Sequence, residues 1–124
     1  LPGIESYYSS LLDELAVGDS QREVSLLLSA MAVSDQPLTH EDLRSLIALD
    51  DRRDAPTEDD HHLLQQVLSG ARSLVRSVVL PSQVTAYTLY HVTLRDYLLY
   101  YASDFQRSVR AASRHLDCLP DTRP

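Results

Sequence analysis

Up to Val75 the apolar residues of this 124-residue chain recur at helical spacing, and then the period shortens to that of a strand. Ile4, Tyr7, Tyr8, Leu11, Leu12 and Leu15 form a first stripe, with Gly18 as its stop signal. Four later segments open on a hydroxyl residue followed three positions on by an acid: Ser20 with Glu23, Thr39 with Asp42, Thr57 with Asp60, and Thr93 with Asp96. In such a capping box the hydroxyl accepts a free amide of the first turn and the acid reaches back to the cap amide. Val24, Leu27, Leu28 and Met31 continue the second segment, which Pro37 ends. Leu43, Leu46, Ile47 and Leu49 continue the third. The fourth carries Leu63, Leu64, Val67, Leu68, Ala71, Leu74 and Val75, with Gly70 inside it. Its acidic first turn suits the positive end of the helix dipole.

Ser77 to Leu80 is short and β-branched, Pro81-Ser82 is a turn signal, and Val84 to Tyr90 alternates. This pattern predicts a hairpin, followed by a helix through Leu94, Tyr97, Leu98, Tyr101 and Phe105. Val109, Ala112 and Leu116 either continue that helix or form a separate one, and the tail from Pro120 is expected to fray. Between the third and fourth segments, residues 50–56 hold no large apolar side chain and read as a loop. Helix, short helix, long helix and hairpin in this order describe a mainly α fold with a small β-hairpin, the winged-helix domain. We place it at residues 18–103, with a preceding helix over 1–17 and a connector helix and tail over 104–124.

Charge narrows the functions open to such a fold. Eighteen acidic residues face eleven basic ones, for a net charge of −7, and every basic residue is arginine. A phosphate-binding loop ending in Gly-Lys-Ser/Thr is therefore excluded on this chain. A general nucleic-acid binder, which needs a cationic surface, is not expected. Residues 1–38 and 39–68 carry −5 each, whereas 69–124 carry +3. The single cysteine, Cys118, permits neither an internal disulfide nor a cysteine-rich zinc site. No apolar run is long enough to span a bilayer. A start at Leu-Pro-Gly leads us to expect a segment of a longer, cytoplasmic protein.

The stretch Tyr90-His91-Val92-Thr93-Leu94-Arg95-Asp96-Tyr97-Leu98 resembles the end of the winged-helix domain in NACHT-type STAND nucleotide-switch ATPases, relatives of animal NLR and plant resistance proteins. There an aromatic-His pair precedes a hydroxyl residue, an apolar residue, an acid and an aromatic. His91, Thr93, Leu94, Asp96 and Tyr97 fill those places, although Leu94 stands where an aromatic is commoner. Leu1-Pro2-Gly3-Ile4-Glu5-Ser6-Tyr7-Tyr8 is similar to the segment leaving the family's preceding helical domain. Pro37-Leu38-Thr39-His40-Glu41-Asp42-Leu43 is similar to the start of its second helix. Together the likeness covers about residues 1–102.

The resemblance implies a regulatory module that closes over ADP held by an adjacent nucleotide-binding domain, with the motif histidine approaching the β-phosphate. That role falls on His91. It also implies ADP or ATP with Mg in the parent protein, none bound tightly by this segment. The partners it implies are the neighbouring nucleotide-binding and helical domains, with oligomerisation of the parent on activation and an output in defence signalling. The chemistry of His91 fits: an imidazole donates to phosphate oxygen, and an anion raises its protonated fraction. The plainer reading makes it a half-buried strand-end residue bonded to a backbone carbonyl. Thr93 and Asp96 are assigned to capping the helix that follows.

Other patterns carry less. Glu58-Asp59-Asp60-His61-His62 has metal-binding composition, yet neighbours on a helix face different ways, so a solvated helix start is expected. His40 and His115 have no partner at informative spacing. No nucleophile elbow is present and no enzyme site is expected. Arg107, Arg110 and Arg114 form one basic stripe, either a solvated face or an interdomain contact. Tyr87, Tyr90, Tyr97, Tyr100 and Tyr101 are expected in and around the core. Two alternatives stand beside the switch module. One is a DNA-binding winged helix whose fourth segment presents Asp59, Asp60, His62, Gln65, Gln66, Ser69 and Arg72 to the groove. The other is a protein-interaction module within a scaffold.

Overall fold

A computed structural model of the chain describes residues 2–15 and 21–119. The stop at Gly18, the Ser20–Glu23 box and the tail from Pro120 lie outside the described residues. Among the described residues, six α-helices and three strands follow in order. They are α1 (Pro2–Leu15), α2 (Gln21–Val33), β1 (Leu38–Thr39), α3 (His40–Asp50), α4 (Glu58–Gly70), β2 (Val75–Val79), β3 (Thr85–Leu89), α5 (Val92–Asp96) and α6 (Gln106–Asp117). The fold is mainly helical with one small antiparallel sheet, in the order β1-β3-β2.

Two of the expected start signals form as capping boxes. Thr39 Oγ1 accepts the amide of Asp42 while Asp42 Oδ2 accepts the amide of Thr39. Thr57 and Asp60 do the same at the start of α4. Each box satisfies amides that have no partner inside the helix. The fourth segment ends earlier than its apolar stripe: α4 stops at Gly70, and Leu74 and Val75 belong to the turn and to β2. Their burial, which reads as helix periodicity in sequence, comes from the sheet packing back on the helices. β2 therefore starts two residues before the β-branched run that signalled it.

Strand β1, two residues long, has no period of its own to betray it. Leu38 pairs with Tyr87 and Thr39 with Ala86, so it adds a third strand to the predicted hairpin. In that hairpin, Val75 pairs with Leu89 and Val79 with Thr85. The amide of Gln83 donates to Leu80 O at 2.8 Å, and that of Leu80 donates to Val84 O at 2.9 Å. Pro81 supplies the fixed φ of the turn's second position, and Gln83 takes a left-handed φ of 69°.

Leu27, Leu28, Leu38, Leu43, Leu46, Ile47, Leu64, Leu94 and Leu98 form the centre of one continuous core. Both flanking segments enter it: Tyr8 and Leu12 from α1, Ala112 and Leu119 from the C-terminal end. Packing thus continues across the boundaries drawn at 17 and 103. The expected long helix after the hairpin is broken instead. A π-turn at Tyr97–Tyr101 closes with the amide of Ala102 donating to Tyr97 O, and Ala102 is extended. Gln106 Nε2 donates to Leu99 O at 3.3 Å, satisfying a carbonyl that the break frees. The break lets α6 fold back along α2 and α3, which a straight helix could not reach.

Candidate functional site

His91 stands where β3 gives way to α5. The amide of Tyr90 still donates to Leu74 O at 2.8 Å, and His91 then turns the chain as the N-cap of α5. Its imidazole is solvent-exposed and makes no hydrogen bond to any described residue. The carbonyl-bonded, half-buried alternative is thus not what the fold contains. The ring of Tyr90 lies 5.7 Å from it and Tyr90 is 53% exposed, as is Val92 at 74%. These three residues form a contiguous outward-facing aromatic, imidazole and aliphatic edge.

The capping box expected from Thr93 and Asp96 does not form. The helix starts at Val92, one residue before Thr93 can serve as its cap, and no side chain caps it. The Thr93 hydroxyl is engaged elsewhere, with the phenol of Tyr8 at 2.6 Å. Tyr8 is buried, and its ring also lies 5.6 Å from that of Tyr97. Thr93 thus ties α1 to the segment that begins at His91, and Asp96 is exposed. From the next turn, Arg95 Nε donates to Ala32 O at 2.7 Å, satisfying a carbonyl at the end of α2. The His91 segment is therefore anchored on both sides by contacts distant in sequence.

The tyrosines divide differently from the expectation. Tyr87 and Tyr97 are half-buried, but Tyr100 is 72% and Tyr101 64% exposed. The π-turn shifts the register so that Tyr101, which regular helical spacing places in the core stripe, faces solvent. Tyr7 of α1 is likewise exposed rather than in the stripe.

Around α4 the acidic cluster resolves into distinct roles. Asp60 is only 4% exposed, contrary to its place on the solvated face. Arg53 Nη1 and Nη2 donate to its two carboxylate oxygens at 2.8 and 2.6 Å. That hydrogen bonding, with the backbone amide of Thr57, holds the Asp60 carboxyl below the usual carboxylate range. The pair pins the loop between α3 and α4, and Arg53 also reaches Asp51. Asp59, His62, Gln65, Gln66, Ser69 and Arg72 are exposed as expected.

His40 and His61 do meet, with ring centroids 4.9 Å apart across the α3–α4 contact. Burial, followed by His61 and Arg44, pushes the His40 imidazole below its ordinary value, with Glu41 opposing. Among the described residues no three metal-ligating side chains converge.

His115 also has a partner that sequence spacing hides. Its Nε2 lies 3.2 Å from Asp50 Oδ1, while Arg22 Nε lies 2.8 Å from Asp50 Oδ2. The three residues come from α6, α3 and α2, so no local pattern could reveal them. Arg107 and Arg114 line a cleft beside this cluster, whereas Arg110 is exposed but does not line it. Compared with family models, curated proteins and solved structures, the chain returns no significant match.

Proposed function

We propose that this chain is the winged-helix regulatory module of a STAND/NACHT-like nucleotide switch, in which His91 contacts ADP held by an adjacent domain. The observation that carries the reading is the free, exposed imidazole of His91 at an anchored strand-to-helix junction. Its fit to the role is that of a donor presented outward; with no lysine on the chain, the nucleotide itself is held elsewhere. The winged-helix assignment draws support from the order α2-β1-α3-α4-β2-β3 and the sheet order β1-β3-β2.

In this reading His91 acts by population shift. A contact made only in the closed, ADP-bound arrangement favours that arrangement by its own free energy. One charge-assisted hydrogen bond of about 1.5–3 kcal/mol changes the equilibrium about 10- to 150-fold. Thr93 and Arg95 hold the junction in place through Tyr8 and Ala32. The test is His91→Ala in the intact parent protein, read as ADP release and basal activation. Faster release with raised basal activity is expected; wild-type values for both overturn the role. A DNA-binding use of α4 is disfavoured by its acidic start, since each phosphate neutralised needs a cation.

A further inference from the structure

The two sides of α6 differ in charge. On one side, a cleft between the end of α2 and α6 is lined by Asp35 and Asp117. On the other, a cleft of about 420 Å³ is lined by Arg22, Asp50, Arg107 and Arg114, with Leu26, Ser108 and Ala111. Asp50 does not neutralise the arginines of α6. Its carboxylate faces Arg22 and His115, and its carbonyl accepts from Arg22 Nη2 at 3.1 Å. Arg107 and Arg114 are exposed, and among the described residues neither makes an ion pair. In a chain of net charge −7, guanidinium groups that flank one cleft and make no ion pair among the described residues are a local reversal of sign.

Their spacing adds a geometric constraint. Seven residues apart on one helix, they repeat after two turns, roughly 10 Å along the axis. A second helix laid alongside α6 presents its own side chains at that same interval. Between the arginines, the small Ala111 and the buried Leu26 leave an apolar floor that a short side chain can cover. Guanidinium groups match carboxylates in bidentate geometry.

We propose that this cleft receives an acidic helical segment of a partner protein, with carboxylates at i and i+7 meeting Arg107 and Arg114 and a small apolar residue between them. Charge complementarity selects the partner's sign, and the i, i+7 interval selects a helix over a compact anion. The surface is separate from the His91 edge, and its use does not depend on the nucleotide reading.

The test uses the 124-residue chain and a fluorescein-labelled, alanine-rich helical peptide of about 20 residues. One version carries glutamates at i and i+7; a second has the same composition with those glutamates at i and i+5. Anisotropy at low and physiological salt is expected to show binding of the first that weakens about tenfold as salt rises. R107Q/R114Q is expected to weaken it at least about tenfold, whereas R72Q, on another surface, leaves it within about twofold. Charge reversal by R107E/R114E should restore binding to a peptide with lysines at i and i+7, a result that loss of folding cannot produce. Absence of binding at low salt overturns the proposal, as does equal affinity for the i, i+5 peptide. So does inorganic pyrophosphate that displaces the peptide at equal affinity, which would make the cleft a small-anion site.

Discussion

The phenol of Tyr8 and the hydroxyl of Thr93 lie 2.6 Å apart, joining α1 to the start of α5 across 85 positions of sequence. The bond ties α1, whose Tyr8 and Leu12 enter the core, to the α5 start and engages the hydroxyl that local spacing assigns to a cap. Tyr8→Phe removes the bond while keeping the ring beside that of Tyr97, and should destabilise the chain by about 1 kcal/mol. A double-mutant cycle with Thr93→Val in urea unfolding should return a coupling of similar size. Fully additive effects would show that the two hydroxyls do not act as a pair.

The Asp60 carboxylate serves two partners, the backbone amide of Thr57 and the guanidinium of Arg53. Asp60→Ala is expected to destabilise the chain more than loss of the cap alone, because the reciprocal cap bond and both hydrogen bonds from Arg53 are removed together. Thr57→Ala, which removes only the cap hydroxyl, should cost about 1 kcal/mol. Chemical denaturation of both variants checks the ranking, and equal losses would contradict the second role of Asp60.

The histidine pair between α3 and α4 gives a signed pH effect. His40 is pushed below its ordinary 6.5 by burial and by His61. The unfolded chain then takes up the proton more readily than the native one, so stability falls as pH drops below about 6.5 and levels off beneath the lowered native value. Acid-dependent stability should flatten over that window in His40→Gln, measured by urea midpoints at several pH values. A variant curve parallel to wild type would assign the effect to other groups.

The hairpin turn contains a relievable strain. Gln83 sits at φ 69°, a region in which a residue with a Cβ is disfavoured. Gln83→Gly should leave the fold unchanged and stabilise it by a few tenths to about 1 kcal/mol, the strain removed exceeding the entropy that glycine adds to the unfolded chain. A lowered melting temperature would mean that the Gln83 side chain contributes contacts of its own.

His91 separates a structural role from a signalling one. Because the imidazole is exposed and unbonded among the described residues, His91→Ala in the 124-residue chain should change stability by less than about 0.5 kcal/mol. A larger loss in thermal unfolding would show that any effect in the parent protein arises from folding rather than from nucleotide contact.

Local chemistry determines much of this protein without reference to its tertiary packing. The two capping boxes at Thr39 and Thr57, the turn at Pro81-Ser82 and the leucine stripes of α2 and α3 follow from residues within one or two turns of each other. Their stabilising partners are close in sequence, so pattern alone is enough. What the tertiary structure decided is every choice between competing partners at long range. Thr93 meets Tyr8 rather than its own helix, Asp60 meets Arg53 as well as its cap, and Asp50 gathers Arg22 and His115. Strand β1 exists because β3 offers it an edge, and the helix breaks at Ala102 because α6 must return to α2. A short-range signal names what a side chain can do, whereas only packing decides which of several neighbours it does it with.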